Sequence, residues 1–169
     1  MGRSSRSTTA TKAKAPLALL ALGLGFATHP VLAAPEVIIK NRTYKVDAVT
    51  AKSLVAQLKR RGPDGFWAYT RWRINWTRDC EVRVRVTYTM PVHSDPKAMP
   101  ATLRKDWERM ITALRLHEEQ HGAHGIAAAR EIKQAGCKNT RPIVRKYNRA
   151  DKEFDRRTKH GAKTGVTLG

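Results

Sequence analysis

Between Leu103 and Ile132 one side of the chain repeats at steps of three or four: Leu103, Trp107, Met110, Leu114, His117, His121, Gly125, Ala128 and Ile132. That spacing lays all of them along one face of a single helix. The pattern predicts a helix from about Leu103 to Gln134, stopped at Gly136, with the remaining elements packed against its stripe.

Two members of the stripe are histidines, in Leu116-His117-Glu118-Glu119-Gln120-His121. Residues four apart on a helix stack, so both imidazoles can converge on one metal ion, and neutral imidazole suits zinc. Glu118 follows the first ligand by one residue, beside the ion and not on it. In zinc hydrolases of this pattern that carboxylate takes the proton of a metal-activated water. The competing reading is a pair of core histidines bonded to backbone or carboxylates, since a buried imidazole needs a partner. His124 sits about 10 Å along the axis from His117, and Glu131 about 15 Å from His121, too far for the same ion. His93, in the loop after the second long strand, is an outside candidate. Gly122 and Gly125 allow close approach of another backbone or of substrate, or tight packing of the last helix.

The N-terminus sets the compartment. Arg3, Arg6, Lys12 and Lys14 precede an apolar run, Ala15 to Ala27, and Val31 and Ala33 are small residues suited to a cut after Ala33. This is the layout of a cleavable export signal over 1–33, too short to span a membrane. The mature chain, 34–169, is then one domain, periplasmic or secreted, with no transmembrane segment. In an oxidising compartment Cys80 and Cys137, an even pair, read as one disulfide.

The chain is strongly basic, +19 from 33 basic and 14 acidic residues. Without the four basic residues of the signal this becomes +15. Such a surface attracts anions: an acidic peptide or protein substrate, or an anionic envelope surface. The charges are scattered and no nucleic-acid module appears, so nucleic acid is not expected as a partner.

Elsewhere the periodicity is two. Glu36 to Val46 reads as two short strands around Lys40-Asn41-Arg42, then a short helix capped by Thr50 and stopped by Gly62-Pro63. Thr70 to Trp76 and Val82 to Met90 alternate cleanly and form a hairpin through Thr77–Cys80, the second strand closed by Pro91. A last helix spans Arg141 to Arg157. The expected fold is α+β and zincin-like: a small antiparallel sheet on a long metal-binding helix, closed by a C-terminal helix.

Several of these residues together resemble the bacterial family called domain of unknown function 922, described as predicted secreted zinc-dependent proteases. The shared features are Gly62-Pro63, Thr70-Arg71-Trp72-Arg73-Ile74-Asn75-Trp76, Cys80, Pro91, Trp107, the His117–His121 motif, Cys137 and Phe154-Asp155-Arg156-Arg157-Thr158-Lys159-His160-Gly161. The last matches an aromatic-Asp-x-x-Thr-x-His-Gly ending. The resemblance implies an exported zinc metallopeptidase, a hydrolase with Glu118 as general base.

Two helical histidines leave a zinc site short of its usual three protein ligands. His160, beyond the last helix, is expected as the third, with Asp155 as rival ligand or as acceptor for the free N–H of a ligand imidazole. The alternatives are a non-catalytic envelope protein with a structural zinc or no metal, and a zinc hydrolase of a non-protein amide such as one in a cell-wall peptide.

Overall fold

The structure, a computed structural model, describes residues 34–168; the expected export signal lies outside the described residues. The elements in chain order are β1 (Glu36–Val46), α1 (Ala51–Arg61), β2 (Tyr69–Trp76), β3 (Val82–His93), α2 (Ala101–Gln134) and α3 (Thr140–Thr158).

The class is α+β, but the sheet is mixed and not antiparallel. Its order is β1-β3-β2, with β2 antiparallel and β1 parallel to the central β3. Alternation reports which face of a strand is buried, not which way its neighbour runs. The Glu36–Val46 segment is one continuous strand and not two, because its full length pairs with β3 from Glu36↔Arg83 to Val46↔His93. Pro91 does not end β3, which continues to His93. β2 pairs no farther than Thr89. Beyond it β3 is an edge on that side, where proline is tolerated.

α1 begins where its cap says it should. Thr50 Oγ1 accepts from the Ser53 N–H at 3.3 Å, and Gly62 ends the helix with its N–H on the Leu58 carbonyl. Leu54 and Leu58 are fully buried against Val46, Met90, Trp107 and Met110.

α2 lies across the inner face of the sheet. Val84 and Val86 are fully buried there, in one cluster with Ala129, Ile132 and Ile143; each such valine contributes roughly 1.5–3 kcal/mol. Gly122 and Gly125 are what let the helix approach. A Cβ on Gly122 would fall 2.1 Å from the Tyr88 hydroxyl, and one on Gly125 would fall 2.5 Å from Trp72 Cγ. Their small size therefore admits the sheet, not the last helix or a substrate.

α3 returns beside α2 after a tight turn in which Gly136, Cys137 and Asn139 all have positive φ. Cys137 is disulfide-bonded to Cys80 in the β2–β3 hairpin, so the helix junction is tied to the sheet. Bonds of this kind persist in oxidising compartments. Among the described residues no helix is long and apolar enough to cross a membrane.

Candidate metal centre

The site is built where two helices each present a pair of residues four apart. α2 supplies His117 and His121. α3 supplies Asp151 and Asp155, stacked by the same helical rule. The ring of Phe154 fills the space between the helices, stacked on His117 at 4.7 Å and edge-on to His121 at 5.3 Å.

Three donor atoms meet. His117 Nε2 is 3.1 Å from Asp155 Oδ1, His121 Nε2 is 3.2 Å from the same oxygen, and the two imidazole nitrogens are 3.3 Å apart. Two imidazoles and a carboxylate are a zinc-type donor set, and bonds of about 2.0–2.1 Å in a tetrahedron place ligand atoms about 3.3 Å from one another. The triangle has that size, so His117, His121 and Asp155 could hold a metal ion.

Asp151 completes the arrangement from behind. Its Oδ1 accepts from His121 Nδ1 at 3.0 Å and from His124 Nδ1 at 2.6 Å, and its Oδ2 accepts from Trp72 Nε1 at 2.9 Å. A hydrogen bond from His121 Nδ1 to Asp151 orients the ring so that Nε2 is the nitrogen aimed at His117 and Asp155, the one a cation would meet. His121, His124 and Asp151 form a second group with metal-ligand geometry. Ordinary hydrogen bonds account for its distances.

Electrostatics bind the cluster together. Burial alone disfavours charge on His121, but its bonds to Asp151 and Asp155 outweigh this and push its pKa up to about 10. Burial likewise opposes ionisation of Asp155, yet the imidazoles of His117 and His121 hold its carboxyl well below the usual range. His117 Nδ1 is the one buried side-chain nitrogen or oxygen left without a hydrogen-bond partner among the described residues.

Glu118 stands beside the trio and outside it. It is buried, and its Oε2 is 2.6 Å from the Thr70 hydroxyl at the start of β2. Burial pushes its pKa up, while the Thr70 bond and the two imidazoles pull against that. Glu118, His117, His121 and Asp155 all line a cavity of about 420 Å³. The Gly65–Thr70 segment lines it as well, with Leu114 and Val166 among its apolar lining.

His160 is at the mouth of this cavity and not in the donor triangle. Its side chain is 62% exposed, with Nδ1 3.5 Å from Asp155 Oδ1. The cause is local: Lys159 and His160 both take left-handed backbone, φ 50°, and the ring lies 5.7 Å from Phe66. The rest of the ending is a helix-terminating device. The buried Thr158 hydroxyl donates to the Phe154 carbonyl at 2.8 Å and accepts from the Gly161 N–H at 3.2 Å. Gly161 has φ 83°, and a Cβ there would press 2.5 Å from Val166 and 3.4 Å from the His117 ring. The motif's glycine thus lets the tail fold down over His117. His93 is elsewhere, in the core, with Nε2 on the Ala48 carbonyl at 3.1 Å and its ring against Trp107. Glu131 is held by Lys146 and Tyr147.

In the sequence Thr70 and Trp72 stand out only as members of the shared strand motif, with no contact to the site, and Asp151 does not stand out. For Asp151 there was nevertheless a signal: it precedes Asp155 by four residues, the spacing of His117 and His121.

A family model described as "Bacterial protein of unknown function (DUF922)" matches residues 41–161. No curated protein and no solved structure matches the chain.

Proposed function

We propose, from the premise that this chain belongs to the bacterial family of unknown function DUF922, that it is an exported zinc-dependent peptidase. In this reading His117, His121 and Asp155 hold the ion and Glu118 is the general base. The observation that carries it is the 3.1–3.3 Å triangle of His117 Nε2, His121 Nε2 and Asp155 Oδ1 beside Glu118 on the wall of one cavity.

Zinc on such donors supplies Lewis acidity, bringing the pKa of a water toward 7 and polarising a substrate carbonyl. Everything else in the reaction belongs to the chain. Glu118 receives the proton of the attacking water and passes it to the leaving amine, so that water adds across the C–N bond. Its raised pKa suits it to both transfers, and Thr70 holds the carboxylate in place. Asp151 fixes the orientation of His121. The apolar walls formed by Leu114, Ala68 and Val166 exclude bulk water and strengthen each of these interactions. Three protein donors facing a cavity leave room for water and substrate, whereas a structural zinc is closed by four protein ligands. That favours catalysis over a purely structural ion. The disulfide and the basic-then-apolar N-terminus support export.

The test is elemental analysis of the purified protein followed by cleavage of a mixed peptide library read by mass spectrometry. The reading expects one zinc per chain and new peptide termini that vanish with a chelator and return with zinc. A metal-free protein that neither binds zinc nor cleaves any peptide overturns it.

A further inference from the structure

On the face of the sheet turned away from α2, the side chains come in register across all three strands. Directly opposed residues share a face, which gives four rows: Asn75–Arg83–Glu36, Arg73–Arg85–Ile38, Arg71–Thr87–Lys40 and Tyr69–Thr89–Arg42. Six of these twelve residues are basic, and all six are exposed. Glu36 is the one acidic residue in the three strands, and it is already paired with Arg83. Arg71, Arg73, Arg85, Lys40 and Arg42 have no carboxylate partner among the described residues.

Arg73 and Arg85 stand directly opposite each other, with Cβ atoms about 4.5–5.5 Å apart, where like charges destabilise a strand pair. Folding alone gives no reason for that juxtaposition. An anion lying over both guanidinium groups does, since each can make paired hydrogen bonds to a phosphate.

We infer that this outer face is a docking surface for an anionic phospholipid bilayer. The array is broad and open, and a planar field of phosphates asks only for cations spread over such a surface. Ile38, half-buried at its centre, adds an apolar contact. Nucleic acid asks for more: a helix or two-stranded ribbon to enter a groove, or aromatic platforms on which bases stack. This face has one aromatic ring, Tyr69, already under the Arg71 guanidinium at 5.9 Å. Of this face Tyr69, at the start of β2, also lines the cavity, but none of the six basic residues does, so a role for the basic array in holding substrate is disfavoured by position. The metal-binding cluster and Glu118 belong to α2 and α3, on the opposite side of the sheet, so a bilayer against the outer face leaves the cavity accessible.

The inference does not depend on zinc or on peptidase activity. The experiment is co-sedimentation of the full-length chain with vesicles of phosphatidylcholine, with and without phosphatidylglycerol, at low and high salt. Binding is expected only with phosphatidylglycerol and is expected to weaken as salt rises. Each basic residue at a membrane surface is worth about fivefold, so Arg73→Gln with Arg85→Gln should lower partitioning about 25-fold. Lys40→Gln with Arg42→Gln should do the same from β1, a second variant in case the first alters folding. A charge-matched control, Lys52→Gln with Lys59→Gln on α1, should change it less than about twofold. Because every variant shares the same N-terminal segment, its contribution cancels. Equal losses in the α1 control and the sheet variants overturn the inference. So does equal binding to both kinds of vesicle. An arginine-dependent preference for a single-stranded oligonucleotide over the vesicles does so too, and makes the face a nucleic-acid surface.

Discussion

Asp151 Oδ1 lies 3.0 Å from His121 Nδ1, on the side of the ring away from the donor triangle. The contact orients the ring and aims His121 Nε2 at the position a cation would take between His117 and Asp155. Losing such an outer partner typically costs 10–100-fold in metal affinity. Asp151→Ala should therefore weaken zinc binding by about that factor in a competition titration with a chelating dye. Asp151→Asn, which keeps an acceptor oxygen, should lose less. Unchanged affinity in the alanine variant would remove Asp151 from the site.

Asp155 and His160 are separated by one measurement. Asp155→Ala deletes a corner of the donor triangle and should lower zinc affinity by more than about 100-fold, beyond the usual loss from an outer partner. His160→Ala should lose less than about tenfold, because that ring is at the cavity mouth. The reverse order would make His160 the third ligand.

The pH dependence of the metal-free protein follows from the same cluster. His121 titrates near 10 in the folded chain against an ordinary 6.5. A raised pKa stabilises the fold fully below about pH 6.5 and is lost as pH rises toward 10. Asp151 and Asp155 are lowered in the folded chain, so their contribution is present above their ordinary pKa and lost as pH falls below it. In chelator, the melting temperature should thus fall by at least about 3 °C between pH 6.5 and pH 10. His121→Gln should lack that part of the decline. Zinc affinity should move the opposite way, weakening in acid, since ligand imidazoles must be neutral. A chelated protein equally stable at both values would contradict the cluster's electrostatics.

The Cys80–Cys137 bond links residues 57 apart in sequence. In the chain-entropy model a loop of that length is worth about 4 kcal/mol. Denaturant unfolding with and without reductant should show a loss of that order. An indistinguishable midpoint would mean that the sheet and the α2–α3 turn stay together without it.

What could be read from the sequence was what is local. His117, Glu118 and His121 are on one helix, and their spacing alone sets their faces; so too the Thr50 cap and the valine alternation of β3. Which group of α3 stands beside the two imidazoles depends on how α3 docks, and sequence does not report that. His160 looked suitable because a chain reversal beside Gly161 could carry it over α2. The reversal is there, but the left-handed backbone at Lys159 and His160 turns that ring outward and leaves Asp155 facing the imidazoles. The parallel β1 was illegible for a related reason, since alternation is identical in either direction. Thr70 was legible as part of the shared β2 motif but not as a partner of Glu118, because that contact exists only where β2 crosses α2.

The most direct measurement is the zinc content and peptide-hydrolysis rate of Glu118→Gln beside the unaltered protein. Glu118 is outside the donor triangle, so the variant should keep one zinc per chain. Loss of the general base should lower turnover by about 10²–10⁴. Zinc retained with turnover unchanged, or zinc lost with the glutamate, would contradict the account.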